Sequence, residues 1–149
     1  PRSLALRLAR SKAEAVKVSG AIGLAADTVV AVGRRVLPKA EIEAQARECL
    51  GLLSGRGHRV YTGVAVKAAD GAIRDRLVET RVTFKVLSKA EVEAYIASRE
   101  WQGKAGGYAA QGLAGRYITS IIGSYSSVIG LPLYEAANLI ESAQGSAKP

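Results

Sequence analysis

The chain has 149 residues, 48% of them apolar and 23% charged, the proportions of one soluble α/β-sized domain rather than of a disordered or fibrous chain. One cysteine, Cys49, and one histidine, His58, exclude an internal disulfide and a Cys/His zinc cluster. Lysine and arginine number 21 against 13 acidic residues, a net charge of +8, which favours an anionic partner; scattered basic residues and few aromatics argue against a stacking platform for nucleic acid.

Residues 4–18 carry Leu4, Leu8, Ala13, Ala15 and Val16 at helical spacing among cations, which predicts a helix laying one apolar face on a sheet. Gly20 and Gly23 stop it. Residues 24–32 are nearly continuous in apolar character and read as a buried strand, with Asp27 the exception inside it. After a turn at 33–35, the spacing of Ile42, Ala46, Cys49, Leu50 and Leu53 predicts a helix over 40–53, stopped at Gly55. A strand over 58–66 is followed by the hairpin turn signal Asp70-Gly71. On the return, Val78, Thr80, Val82, Phe84 and Val86 share one parity, the pattern of a strand with one packed face.

Ser88-Lys89-Ala90-Glu91 is a capping box opening a helix that turns Val92, Tyr95 and Ile96 inward. The five glycines between Gly103 and Gly115 predict a loop, with a strand over 117–122 behind it. Pro132 suits the start of a last helix reaching about Ala143, and the tail 145–149 is expected to fray. No repeat or linker divides the chain, so 1–149 reads as a single domain. Strands alternating with helices around a central hairpin predict an α/β fold: a mixed central sheet flanked by helices, with a cleft. No apolar run approaches the roughly 20 residues of a bilayer span, no signal peptide is evident, and a reducing cytoplasm is the expected setting. The absence of methionine even at position 1 suggests a fragment or processed chain.

Asp27 is the most informative position, because a carboxylate in an apolar strand costs several kcal/mol unless a cation or donors meet it. It reads either as a strand-end carboxylate capped by amides or an arginine, or as a group that ligates Mg²⁺ or takes a proton from an attacking water. Thr28, its neighbour, points to the opposite face of a regular strand. Lys39, beyond Pro38 and ahead of a helix N-terminus, is placed to meet a phosphate, or is a solvated turn lysine. Arg56 and His58 stand at a polar helix end that structure alone explains, and His58 is a weak catalytic candidate. The stretch from Lys104 to Gly112 combines close backbone approach with a cation, a phenol and the amide of Gln111. That mix suits a nucleotide, yet it is neither a phosphate-binding Gly-Lys-Ser/Thr loop nor a dinucleotide fingerprint.

In this order, Ala26-Asp27-Thr28-Val29-Val30, Leu37-Pro38-Lys39, Leu53-Ser54-Gly55-Arg56 with His58, Thr62-Gly63-Val64, Thr83-Phe84, Lys104-Ala105-Gly106-Gly107-Tyr108 with Gln111-Gly112, Gly123-Ser124-Tyr125 and Gly130-Leu131-Pro132-Leu133 resemble the Maf family of nucleoside triphosphate pyrophosphatases over essentially the whole chain. The resemblance implies a fold shared with inosine triphosphatases. It also implies hydrolysis of a nucleoside triphosphate to monophosphate and pyrophosphate with a divalent cation, Mg²⁺ first and Mn²⁺ second. By the same analogy Asp27 is the proton acceptor or metal-linked base and Lys39 a triphosphate contact. Thr28 and Gln111 select the base in the dTTP/UTP-type branch, and Arg56 and Lys104 are further phosphate contacts. The expected partner is the triphosphate itself, with neither membrane nor stable nucleic-acid partner, and a homodimer is compatible with it.

Two departures accompany the resemblance. The family's opening Ser-x-Ser-Pro-Arg-Arg segment is not found, so the domain is expected to be N-terminally truncated. A molecule without it lacks an arginine and serine contact, a metal-site carboxylate and a core strand, and can fold around an exposed groove yet be inactive. The lysine turn reads Pro38-Lys39-Ala40 where the family has Gly-Lys-Pro. Two competing readings are a non-enzymatic regulator of cell division (septum formation), and an anion- or nucleic-acid-binding protein.

Overall fold

The computed structural model describes residues 1–16 and 20–146. Helix α1 (Arg2–Glu14) leads to strand β1 (Gly23–Val32), which turns at Gly33-Arg34 into β2 (Arg35–Leu37). A two-residue strand β3 (Lys39–Ala40) and helix α2 (Glu43–Leu53) follow. The long hairpin of β4 (Gly57–Lys67) and β5 (Ile73–Phe84) comes next, then α3 (Lys89–Ser98), β6 (Lys104–Ala105) and a 3₁₀ turn at Leu113–Tyr117. Strand β7 (Ile118–Ile122), α4 (Tyr125–Ile129) and α5 (Leu133–Ser146) close the chain.

Five strands form one sheet in the order β2-β1-β4-β5-β7, and every described ladder is antiparallel. Successive side chains alternate between its faces. One face takes α1, whose Ala5, Ala9 and Ala13, spaced four apart and fully buried, form a stripe of small side chains. The stripe lets the helix backbone sit directly on Gly63, where an added Cβ would lie 2.5 Å from the Ala5 carbonyl oxygen. On the other face, Val30, Val60, Val82 and Phe84 pack with α2, α3 and the glycine loop, while Val64 and Val66 pack under Ala136, Leu139 and Ala143 of α5. Ser88 caps α3 as expected, accepting from the Glu91 amide while Glu91 reaches back to the Ser88 amide.

Several expected boundaries shift, each for a local reason. Arg35, assigned to a turn, already pairs with Val32. The second helix begins at Glu43 rather than at 40, because Lys39 and Ala40 pair with Ala105 and Lys104 in a second, two-stranded sheet. Val86, placed by parity on the packed face, lies past the end of β5 at Phe84 and is 74% exposed. Tyr117 belongs to the 3₁₀ turn, and α5 runs on to Ser146. The expectations for Lys17 and Val18 and for the tail at Ala147–Pro149 lie outside the described residues. Among the described residues no helix is long and apolar enough to cross a membrane.

Candidate active site

β2 pairs only with Val30–Val32 of β1. Pro38, which has no amide hydrogen to give a ladder, then turns the chain away into β3, and the outer edge of β1 from Gly23 to Val29 has no strand beside it among the described residues. Asp27 and Thr28 sit at this unpaired edge and face opposite sides of the sheet.

On the α1 face Asp27 is buried, and its two oxygens have two partners. Lys12 of α1 brings Nζ to 2.9 Å of Oδ2, and the Thr28 amide donates to Oδ1 at 2.9 Å. The cation required by a carboxylate in an apolar strand is therefore a lysine from the preceding helix. Lys12 itself is half exposed, so the pair is reachable from solvent on one side. The register opposes Asp27 to Gly63, and the absence of a side chain there lets α1 come close enough for Lys12 to reach.

On the other face Thr28, Val30 and Val60 form the floor of a small cleft walled by Lys104, Tyr108 and Gln111 from the glycine loop and by Val128 and Ile129 from α4. The loop is tied to its surroundings at several points. Gly106 and Gly107 adopt left-handed φ of +67° and +77° that other residues resist, and a Cβ on Gly106 would lie 2.9 Å from a Val30 methyl. The Gly106 amide donates to the Pro38 carbonyl at 3.0 Å, and the Tyr95 hydroxyl donates to the Gly107 carbonyl at 3.0 Å. Lys39 is one register step from Lys104 across the β3–β6 ladder, and both lysines are exposed.

The structure thus gathers Thr28, Lys104 and Gln111 in one cleft, leaves Lys39 outside its lining, one step along the β3–β6 ladder and on the other face from Lys104, and sets Asp27 on the opposite face of the same strand edge. Arg56 is not among them: it is exposed in the turn between α2 and β4, where its carbonyl accepts from the Phe84 amide. Lys12 escaped the sequence reading, although a buried carboxylate demanded a cation and Lys12 stands on the first helix, the one laid on this face.

His58 is 3% exposed, with Nε2 2.6 Å from the Tyr108 hydroxyl and its ring edge-on to Phe84 and Tyr108. It anchors the glycine loop to β4. Burial pushes its pKa down to about 4, so the unfolded chain, titrating near 6.5, takes up this proton first as pH falls. The group's contribution is intact above pH 6.5 and is lost as pH drops toward 4, about 2–3 kcal/mol at pH 4.5. Denaturant titrations at pH 7 and 4.5 are expected to show this loss in the wild type and a correspondingly smaller one in His58→Phe; equal losses would remove the buried histidine as the cause.

No group of three or more His, Cys, Asp or Glu side chains able to hold a metal ion occurs among the described residues. The donor set, one carboxylate already paired with a lysine, does not form an all-protein cage. A single carboxylate of this kind can serve a hard divalent cation only as one ligand among others.

A family model described as "Maf-like protein" matches residues 1–143. The chain is 56% identical over 148 residues to a protein of Rhodopseudomonas palustris (strain HaA2) named dTTP/UTP pyrophosphatase, covering 94% of this chain and 72% of that one. It is 62% identical over 141 residues to a protein of the same name from Maricaulis maris (strain MCS10), covering 94% and 68%. A third so named, from Brucella abortus (strain 2308), is 57% identical over 148 residues, covering 94% and 71%. With residues 1–143 matched by this family model, a span that includes the sheet, the glycine loop and Asp27, the chain belongs to the Maf-like protein family.

Proposed function

We propose that this chain hydrolyses dTTP and UTP to the monophosphate and pyrophosphate, by attack of water on the α-phosphorus at the open edge of β1. The observation that carries the reading is the joint presence, at one unpaired strand edge, of a polar cleft with Thr28, Gln111 and Lys104 and of the Asp27–Lys12 pair behind it. The names of the relatives support the base and the reaction.

In this reading the base enters between Thr28 and Gln111, whose amide offers both a donor and an acceptor. The phosphates pass over the edge beside Lys104 and Lys39, whose charges oppose the negative charge that grows on the departing pyrophosphate. Asp27 takes the proton of the attacking water, with Lys12 stabilising the carboxylate until it does so. Asp27 is also the residue that would hold a divalent cation carried on the triphosphate, and such a cation supplies charge neutralisation at the phosphoryl oxygens when bound. Arg56 has no part in this arrangement. A cytoplasmic setting, where nucleoside triphosphates are made and used, belongs to the same proposal.

A panel of triphosphates assayed for pyrophosphate tests it. dTTP and UTP are expected to turn over faster than CTP, ATP and GTP, a chelator to stop turnover, and Gln111→Ala to narrow the preference. Equal rates across the panel, or orthophosphate as the first product, contradict the reading.

A further inference from the structure

A chain of hydroxyl groups runs under the floor of the cleft, and the directions of its hydrogen bonds can be assigned. The Thr62 hydroxyl, fully buried on β4, lies 2.7 Å from the Ser127 carbonyl oxygen of α4. A carbonyl only accepts, so the one hydroxyl proton of Thr62 is committed to it. Thr62 Oγ1 is also 3.0 Å from Thr28 Oγ1. With its own proton already given to Ser127, Thr62 must accept there, and Thr28 must donate. On a neighbouring arm Ser127 Oγ donates to the Ser124 carbonyl at 2.9 Å, and the Thr80 proton goes either to Ser127 Oγ at 3.0 Å or to that same carbonyl at 3.4 Å. Thr80 in turn accepts from the Ser124 amide at 3.2 Å. Thr62, Thr80 and Ser127 are each 0% exposed, so no solvent water competes for these protons.

We propose that Thr62 is a specificity-determining positioning residue: by consuming the Thr28 proton, it leaves Thr28 to present only lone pairs to the cleft. This rests on the reading above that the cleft takes the base of dTTP or UTP. Uracil and thymine carry one donor on their pairing edge, N3–H, flanked by two carbonyl acceptors, and a lone-pair-only Thr28 can meet that edge only at N3–H. Cytosine seated in the same pose has a bare lone pair at N3, which faces Thr28 as acceptor against acceptor, and its one donor on that edge, the N4 amino group, reaches Thr28 only if the ring shifts out of the pose that uracil takes. A free threonine would rotate its hydroxyl to suit either base; a threonine polarised from behind does so only by giving up its bond to Thr62. Buried hydroxyls that determine the direction of one proton thereby separate two bases of nearly equal shape.

The test is the ratio of kcat/KM for UTP over CTP in the full chain, measured with Mg²⁺ present, together with calorimetric binding of UMP and CMP. Thr62→Val, close in shape but without a hydroxyl, is expected to lower the UTP:CTP ratio about tenfold, the worth of one neutral hydrogen bond. Thr28→Val should lower it similarly, Thr62→Ser should keep it, and the double Thr28→Val, Thr62→Val variant should be no worse than Thr28→Val alone. If Thr62→Val fails to fold, an unchanged ratio in Thr28→Val, or a lowered one in a folded Thr62→Ser, still overturns the relay. An unchanged ratio in a folded Thr62→Val overturns the relay while leaving the pyrophosphatase reading standing. An equal loss for UTP and CTP places the Thr28 contact on the sugar and also overturns it. A wild-type chain that neither hydrolyses UTP nor binds UMP removes the base site itself, and the relay with it.

Discussion

Asp27→Asn is expected to lower the release of pyrophosphate from UTP by about a thousandfold, within the usual reach of a positioned base, while the thermal unfolding midpoint stays within a few degrees of the wild type. Asparagine keeps the shape and the Oδ1 acceptor that the Thr28 amide uses, but it cannot take a proton and has no charge for Lys12. The companion change Lys12→Met separates chemistry from folding. It leaves a buried carboxylate without its cation, a destabilisation of about 1–3 kcal/mol because the lysine end of the pair is half solvated. Turnover near the wild-type rate in Asp27→Asn would mean that the carboxylate only anchors α1 to the sheet.

The second large effect is structural and lies under the same pair. Gly63→Ala is expected to destabilise the fold by about 3 kcal/mol or more, at the upper end of overpacking costs. An added Cβ would stand 2.5 Å from the Ala5 carbonyl oxygen and 2.9 Å from the Leu6 Cα, and backbone atoms cannot step aside as the end of a flexible side chain can. To relieve the clash α1 must lift from β4. Lys12 travels with it, so turnover should fall together with stability, and Val at the same position should be worse than Ala. Denaturation midpoints and kcat measured on the same preparations check this. A wild-type midpoint in Gly63→Ala would contradict the seating of α1 on Gly63.

The elements with strong local patterns were legible in the sequence. The capping box at Ser88, the Asp70-Gly71 hairpin, and the alternation of Val78, Thr80 and Val82 each rest on interactions within a few residues, and the structure contains all three. Position 27 was legible too, because a carboxylate among valines is a local anomaly. What supplies its charge partner was not, since Lys12 reaches Asp27 only after α1 has docked across Gly63. The β3–β6 ladder escaped for the same reason: two residues at Lys39 pair with two at Lys104, more than sixty positions away, and neither pair carries a strand pattern of its own. The short helix α4 was hidden in a serine-rich stretch where the Ser124 hydroxyl caps the helix and the Ser127 hydroxyl and carbonyl bond to Thr80 and Thr62 of the sheet, rather than marking a loop. That Thr28 faces away from Asp27 followed from parity along the strand, but that this face meets the glycine loop, and that the hydroxyl is polarised by buried partners on β4 and α4, no spacing rule connects.

The proposed attack of water on the α-phosphorus of a pyrimidine nucleoside triphosphate at the open edge of β1 has a direct isotopic signature. Hydrolysis of UTP in ¹⁸O-labelled water, with the products separated by mass, tests it most directly. UMP and pyrophosphate are expected in equal amounts, with the label in the UMP phosphate and its appearance abolished by Asp27→Asn. Label in pyrophosphate, in orthophosphate beside UDP, or in UMP at an undiminished rate in the Asp27 variant would contradict it.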